Sequence, residues 1–440
     1  MCVPIGPQTE NMLPTSRQQL RRSAACLCAV VTCLALSACA TRRCRDLGWL
    51  PEQSAAGDRL SWSALPEVQR PDKAVRPELL SPTPSESDMG GRSRQYRRIT
   101  AAQVVRAASQ QADLANILEH QADWLTSIAQ ADHEARCAAL LGEPWLRLQA
   151  HQERQQRVAE ALRSFWSLAE AEQGRILLEA SRQLADKLVK ELEQLQQGGF
   201  ASGVQRYPAL AERPDIDAQL RAAEATILQL NLQLATVLGI ELPKDGFLWP
   251  DAKWSLPVDL PELEPSLEVA LEKRSDLRAL QLIQEHLEPH TLEVVRRALE
   301  TAGLVAVPLP AADGWFRKAA LEAEQEAEVA LRRFQVAQLV EARRRQVAAQ
   351  LRGQHEALAS ARQSAIYAGM RWELAEKHRD TLRTGYRAGR VTVEELFRAE
   401  LEVLRRQGEL LRAIARFQRE LVTWHELTGE LLERFSDEPR

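Results

Sequence analysis

No proline occurs between Pro310 and Pro439, and the residues from Lys318 to about Thr381 are almost all good helix formers. Nothing in that run stops a helix once it has started. At a rise of about 1.5 Å per residue it makes a helix about 95 Å long. Such a helix cannot sit inside a globular core. It needs a partner along its length, in a coiled coil or an extended helical barrel. The partner follows at once in the sequence YRAGRVTVEELFRAELEVLRRQGELLRAIARFQRELVTWHELTG, Tyr386 to Gly429. Gly385 and Gly389 supply the permissive backbone of a tight reversal, and Thr392 with Glu395 forms a T-x-x-E capping box that predicts a helix start near Val393. Leu410, Ile414, Phe417, Leu421 and Trp424 then recur at alternating spacings of four and three, the apolar seam of a helix lying along another, and Gly429 marks its end.

Composition extends this to the whole chain. With 45% hydrophobic residues, 27% charged and only 5% aromatic, the 440 residues have the make-up of long helices packed on one another, so the expected class is all-α, built of long antiparallel coiled-coil hairpins. A net charge of -4 gives no electrostatic reason to expect nucleic acid. No Walker loop, G-x-S-x-G or H-E-x-x-H occurs, so no enzyme, catalytic residue or cofactor is expected. His133 and Cys137 lie four apart as metal ligands can, but no third ligand is near and chance pairing is the simpler reading; Pro289 speaks against a regular helix holding His286 and His290 together. The basic run from Glu341 to Arg345 reads as a solvated helix face with carboxylate partners one turn away.

The first 39 residues read as a signal peptide. Arg17, Arg21 and Arg22 flank an apolar run from Ala24 to Leu36, too short to cross a hydrocarbon core of about 30 Å. Met12 offers a second possible start. The run closes with Leu36, Ser37, Ala38 and Cys39, which resembles the lipobox of bacterial lipoproteins, in which the cysteine is acylated; ordinary secretory cleavage is the alternative. Of seven cysteines, Cys2, Cys26, Cys28 and Cys33 leave with the signal and Cys39 is the lipidation candidate, so Cys44 and Cys137 remain as possible thiols and a disulfide scaffold is excluded. Residues 40–100 are broken repeatedly by proline and read as an extended tether.

An internal repeat organises the rest. Helical sequence begins near Ala101, pauses at Leu141–Pro144, runs proline-free from Trp145 to Tyr207, meets Gly198, Gly199 and Gly203, and returns in a helix from about Asp215 to Leu238. Gly199 precedes Gly239 by 40 residues and Gly389 precedes Gly429 by 40. At the same offset of 190, Ser202 and Gln205 stand where Thr392 and Glu395 stand. This predicts a first helical-hairpin repeat over 101–239, a proline-rich, loop-rich connector with a short helix over 240–272, a second repeat over 273–430 and a tail over 431–440.

The second hairpin resembles the C-terminal signature of the TolC-like outer membrane efflux family, with Tyr386, Gly389, Glu395, Leu396, Ala399, Leu404 and Gly429 at the matching positions. Arg274 to Ala279, RSDLRA, is similar to the R-P-D-L-x-A that opens that family's second repeat, with Ser275 in place of the proline. The resemblance implies a duplicated helical hairpin, a homotrimer closing a periplasmic tunnel, and export of small molecules with a periplasmic adaptor and an inner-membrane pump. It also implies a functional tip formed by Tyr386, Gly389, Thr392, Glu395 and Arg398, facing the periplasm. Arg398 stands where a second acidic residue is expected, so an acidic gate would be weakened or replaced by pairing between Glu395 and Arg398. Turning and capping a coiled-coil hairpin uses the same residue types and is the bland alternative.

The chain departs from the family where each repeat should carry a membrane-spanning β-hairpin. The two places, Leu141–Leu148 and Val305–Trp315, are too short for strands of about ten residues, and four tyrosines leave little for an aromatic girdle. The expectation is the family's helical body with little or no β-barrel, held at the outer membrane by lipid on Cys39, whose several acyl chains suffice for stable anchoring. Two functions remain open: a transport tunnel, which needs each hairpin to show apolar residues on two flanks so that the helices can close a ring, or a coiled-coil scaffold lipoprotein, which needs one seam; Leu401 and Leu404 on one side with Leu410, Ile414 and Phe417 on another favour the wider packing.

Overall fold

In the computed structural model of the chain, the residues described are 95–131, 133–197, 207–243, 246–257, 259–292, 294–296 and 317–434. The order of elements is β1 (Gln95–Thr100), α1 (Ala101–Gln110), α2 (Asp113–Ala131), α3 (His133–Gln197), α4 (Tyr207–Leu238), β2 (Gly246–Asp251), α5 (Leu263–Lys273), α6 (Ser275–Glu285), α7 (Arg317–Arg387), α8 (Val393–Thr428) and α9 (Leu431–Arg434). The described residues divide into two compact units, a larger one drawn from 95–121, 144–286 and 330–434 and a smaller one drawn from 122–143, 287–296 and 317–329.

Two antiparallel hairpins dominate the larger unit. In the first, Arg182 of α3 reaches Asp217 of α4 at 3.1 Å and Arg213 reaches back to Asp186 at 3.5 Å, while Leu188 and Leu192 pack with Ile216 and Leu220. In the second, Gln354 of α7 donates to the Glu420 carbonyl of α8 at 3.0 Å and Arg383 donates to Glu400 at 2.7 Å. The two hairpins share a wall. Arg419 of α8 donates to Glu170 of α3 at 2.7 Å, Arg163 pairs with Glu426, and Phe397 enters the cluster of Ala185 and Leu188. The α8 seam is thus pressed between partners: Leu410, Ile414 and Phe417 are fully buried and Trp424 is 1% exposed. Burial of that stripe, not intrinsic propensity, is what holds helices of this length.

The repeat shows in the backbone. Gly239 and Gly429 both sit at positive φ (63° and 79°). At each, the glycine N–H bonds back three residues and the next N–H bonds back five, to Thr236 and Ala235 in one case and to Glu426 and His425 in the other. These are the paired bonds of a Schellman C-cap, which only glycine adopts without strain. A Cβ on Gly429 would also press on the Lys273 backbone at 3.4 Å.

The RSDL stretch ties the connector to the second hairpin. Arg274 donates to both Asp276 oxygens (3.1 and 2.7 Å), to Gln350 of α7 at 3.2 Å and to the Leu427 carbonyl at the end of α8 at 3.5 Å. Asp276 also receives Arg343 of α7 and the Leu277 N–H. Burial works to raise the Asp276 carboxyl pKa, but the hydrogen bonds and charges of Arg274 and Arg343 outweigh it and hold the group below the usual carboxylate range. Asp276→Asn removes the charge that two half-buried guanidiniums share and is expected to destabilise the chain by about 2–3 kcal/mol, read as a lower denaturant midpoint at pH 7. The wild-type advantage should fade as pH falls below about 4, because a depressed folded-state pKa gives stability that is lost on acidification.

A two-stranded parallel sheet lies beside α4. Its register pairs Gln95 with Gly246 through to Thr100 with Asp251. Asn231 of α4, 1% exposed, accepts from the Leu248 N–H at 2.6 Å and donates to the Ile227 carbonyl. In the smaller unit, a Cβ on Gly142 of α3 would come within 3.2 Å of Leu125 of α2, Leu287, Leu292, Val295 and Val329 are buried, and Arg296 donates to Glu328 at 2.8 Å.

Several sequence readings need correction. The helix does not pause at Leu141–Pro144: α3 runs through Pro144, whose ring removes one backbone bond from a helix pinned by buried Leu141 and Leu146. The first expected place for a membrane hairpin, 141–148, is therefore helical; the second, 305–315, lies outside the described residues. The returning helix, for which Pro208 and Pro214 predict a bend or a delay, starts at Tyr207 rather than Asp215: Pro208 occupies the first turn, where its missing N–H costs nothing, and Pro214 is carried inside the helix. The tether ends in β1 and the connector contains β2, neither of which alternates apolar and polar residues cleanly enough to be read as a strand. Arg343 of the basic run is anchored to Asp276, while Arg344 keeps a carboxylate on its own helix, Glu341, at 3.1 Å. Cys39, Cys44, Gly199, Ser202 and Gln205 lie outside the described residues, as do the side chains of His133 and Cys137.

Candidate functional site at the hairpin tip

The tip of the second hairpin is built by two caps back to back. Helix α7 ends in a third Schellman motif: Gly389, at φ 68°, bonds to the Tyr386 carbonyl at 2.9 Å, and Arg390 bonds to the Gly385 carbonyl at 2.9 Å. A Cβ on Gly385 would strike Val391 at 2.6 Å, so both glycines are needed, one for its dihedral and one for its bareness. Three residues later α8 opens at Val393 with its capping box. The Thr392 hydroxyl accepts from the Glu395 N–H at 3.2 Å, and the Glu395 carboxylate accepts from the Thr392 N–H at 2.9 Å and the Thr392 hydroxyl at 3.0 Å. The backbone and side-chain bonds from Thr392, in that order, lower the Glu395 pKa.

The structure brings Tyr386, Gly389, Thr392, Glu395 and Arg398 together at this tip. It changes the pairing, however. Arg398 donates to Glu394 at 2.6 Å, one turn back, and not to Glu395, whose carboxylate is committed to the cap. Just below, Arg383 and Glu400 bridge the two helices. Sequence reasoning missed both Glu394 and this cross-hairpin pair, because spacing along one helix says nothing about which residues face the other. The exposed surface of the tip includes Tyr386, Arg387, Arg390, Thr392, Glu395 and Arg398, and of these the Thr392 hydroxyl and the Glu395 carboxylate are engaged with each other in the cap. Among the described residues no group of three His, Cys, Asp or Glu is placed to hold a metal ion.

A second feature lies on the flanks. In the larger unit α3 and α8 are paired with each other, and α4 and α7 are their outer partners. Both outer helices carry exposed apolar residues at helical spacing: Leu228 and Leu232 on α4, and Leu331 with Phe334 and Tyr367 with Met370 and Leu374 on α7. Phe334 is 65% exposed and Leu374 64%, far more than isolated core-facing residues show. Only the spacings were available in the sequence to signal them, and α7 carries apolar residues on more than one face, so no single stripe stood out.

Solved structures with this arrangement are membrane channels. The Campylobacter jejuni CmeC outer membrane channel is similar over 75% of this chain and 86% of its own, with 12% identity and a TM-score of 0.54. The outer-membrane channel OprN is similar over 83% and 98%, with 13% identity and a TM-score of 0.56. The chain has the TolC-like channel fold. The open state of the Neisseria gonorrhoeae MtrE outer membrane channel agrees, over 75% of this chain and 89% of its own, at 13% identity and a TM-score of 0.52. No family model matches the chain and no curated protein does. In this TolC-like fold the helical body is retained while the described part of the expected membrane insertion is helical. No described helix is long and apolar enough to cross a membrane.

Proposed function

We propose that the chain is a TolC-like outer membrane efflux component: a homotrimer, anchored by lipid on Cys39, whose hairpins form or extend a periplasmic tunnel for small molecules. The single observation that carries this reading is the pair of apolar flanks. A scaffold needs one seam, whereas a ring of identical subunits needs two different, complementary edges on each, and Leu228 and Leu232 on α4 with Tyr367, Met370 and Leu374 on α7 supply two. The repeats over 101–239 and 273–430 are read as the duplicated hairpins, supported by the matched caps at Gly239 and Gly429.

In this reading the tip at Tyr386, Gly389, Thr392, Glu395 and Arg398 meets a periplasmic adaptor that links the tunnel to an inner-membrane pump. A photocrosslinker placed at Tyr386 in cells that make the protein should join it to an adaptor-type hairpin protein, and Arg398→Glu should cut the yield several-fold by reversing the charge beside the contact. Crosslinks only between copies of this chain, or a yield indifferent to Arg398, would contradict the adaptor assignment.

A further inference from the structure

Gln155 of α3 is buried, and its side-chain nitrogen touches two groups at once. It lies 2.7 Å from the Gly429 carbonyl, at the glycine cap that ends α8, and 2.9 Å from Nε2 of His151, one turn back on α3. A carbonyl oxygen can only accept, so the Gln155 atom that faces it is the NH2 group, and the second hydrogen of that group is left for His151. The His151 Nε2 is therefore an acceptor. The imidazole is neutral, with its proton on Nδ1. Gly429 is buried, and no other donor among the described residues reaches its carbonyl. One amide thus satisfies a buried carbonyl of the second repeat, and its orientation is set by the protonation of a half-buried imidazole on the first.

We propose that His151, Gln155 and the Gly429 carbonyl form an acid-released latch between α3 and the turn that joins α8 to α9. A proton on the His151 Nε2 sets a donor against a donor. The Gln155 amide then turns its oxygen to the imidazolium, and the Gly429 carbonyl is left buried without a donor. The cap bonds at Gly429 and Glu430 and the short α9 behind them loosen, while α3 and α8 stay joined by Arg419 to Glu170 and by Arg163 to Glu426. The charged groups acting on His151 are Arg154 on its own helix, Arg278 of α6 and Glu119 of α2. Burial first, then Arg154 and Arg278, hold its pKa below the ordinary 6.5, with Glu119 opposing. Arg154 is itself held by Glu119 at 2.6 Å and Asn116 at 3.0 Å. A depressed histidine pKa keeps the neutral form through neutral pH, so the latch is closed there and opens on acidification.

The test has two readouts on the full acylated chain in non-ionic detergent. Nitrogen NMR of histidine-labelled protein, with the His151 signal assigned by its loss in His151→Gln, should show the proton on Nδ1 at neutral pH. A proton on Nε2 there would overturn the bridge, and this readout needs only the wild-type fold. Hydrogen exchange of residues 429–434, corrected for the intrinsic effect of pH, should quicken about tenfold as His151 titrates, the scale of losing one buried hydrogen bond. His151→Gln keeps an acceptor that takes no proton, so exchange should stay slow throughout. Gln155→Leu should exchange fast at every pH, and His425→Leu should keep the wild-type step. The absence of a step in the wild type, its survival in His151→Gln, its loss in His425→Leu, or slow exchange in Gln155→Leu would each overturn the latch. Neither readout depends on trimer formation, so the tunnel reading stands or falls on its own measurement.

Discussion

Phe417→Ala should lower the stability of the helical body by about 3–5 kcal/mol, the range found when a fully buried phenylalanine is truncated in a core that cannot collapse around the gap. Phe417 has no exposed surface. It packs in a cluster with Val347, Leu351 and Leu358 of α7, Ala270 of α5 and Trp424 of α8. Three elements fix that site, and the α7 and α8 backbones are held at their spacing by Gln354 to Glu420 and by the His355 and Trp424 rings, 5.8 Å apart. Relaxation into the cavity is therefore small, and the transfer and cavity contributions add. Denaturant unfolding followed by circular dichroism checks this. A loss below about 1 kcal/mol would mean that α8 does not pack as described.

Acidification should weaken the chain well above the range in which carboxylates protonate, and His425 is the reason. It is 3% exposed near the C-terminal end of α8, and its Nδ1 has no hydrogen-bond partner. Burial first, and then the Arg434 charge, push its pKa down to about 3. The folded chain keeps the imidazole neutral, whereas the unfolded chain takes up a proton near pH 6.5. Stability from this group is thus complete above pH 6.5 and falls as pH drops towards 3. At about 1.4 kcal/mol per unit, the loss at pH 5 is about 2 kcal/mol. His425→Leu should flatten the stability profile between pH 7 and pH 5, while Asp276, which titrates lower, leaves that window untouched. An unchanged slope in the variant would show that His425 is accessible or already protonated in the fold.

Local chemistry was legible in the sequence to the residue. Thr392 and Glu395 fixed the α8 start at Val393, Gly429 its end, and the spacing of Leu410, Ile414, Phe417 and Trp424 its buried face, because caps and helical periodicity depend only on neighbours along the chain. The breaks read from proline were less secure. Pro144 and Pro208 were given more weight than a helix supported by burial, or a first-turn position, gives them. The β1 and β2 pairing was out of reach, since parallel strands 150 residues apart carry no local signal beyond their own composition. At the tip, the backbone was readable and the pairing was not: whether Arg398 meets Glu394 or Glu395 depends on which carboxylate the cap has already taken. The two exposed flanks, the feature most relevant to function, appear only once the hairpins are folded and their outer faces can be told from their inner ones.

The central claim is that these flanks close a ring of three. Sedimentation equilibrium of the full acylated chain in density-matched detergent measures it directly. The account predicts a trimer, and predicts that Phe334→Glu with Leu374→Glu gives a monomer of unchanged helix content, because unpaired charge is buried at every interface of the ring. A wild-type chain that sediments as a monomer or dimer, or a variant that remains trimeric, would contradict it.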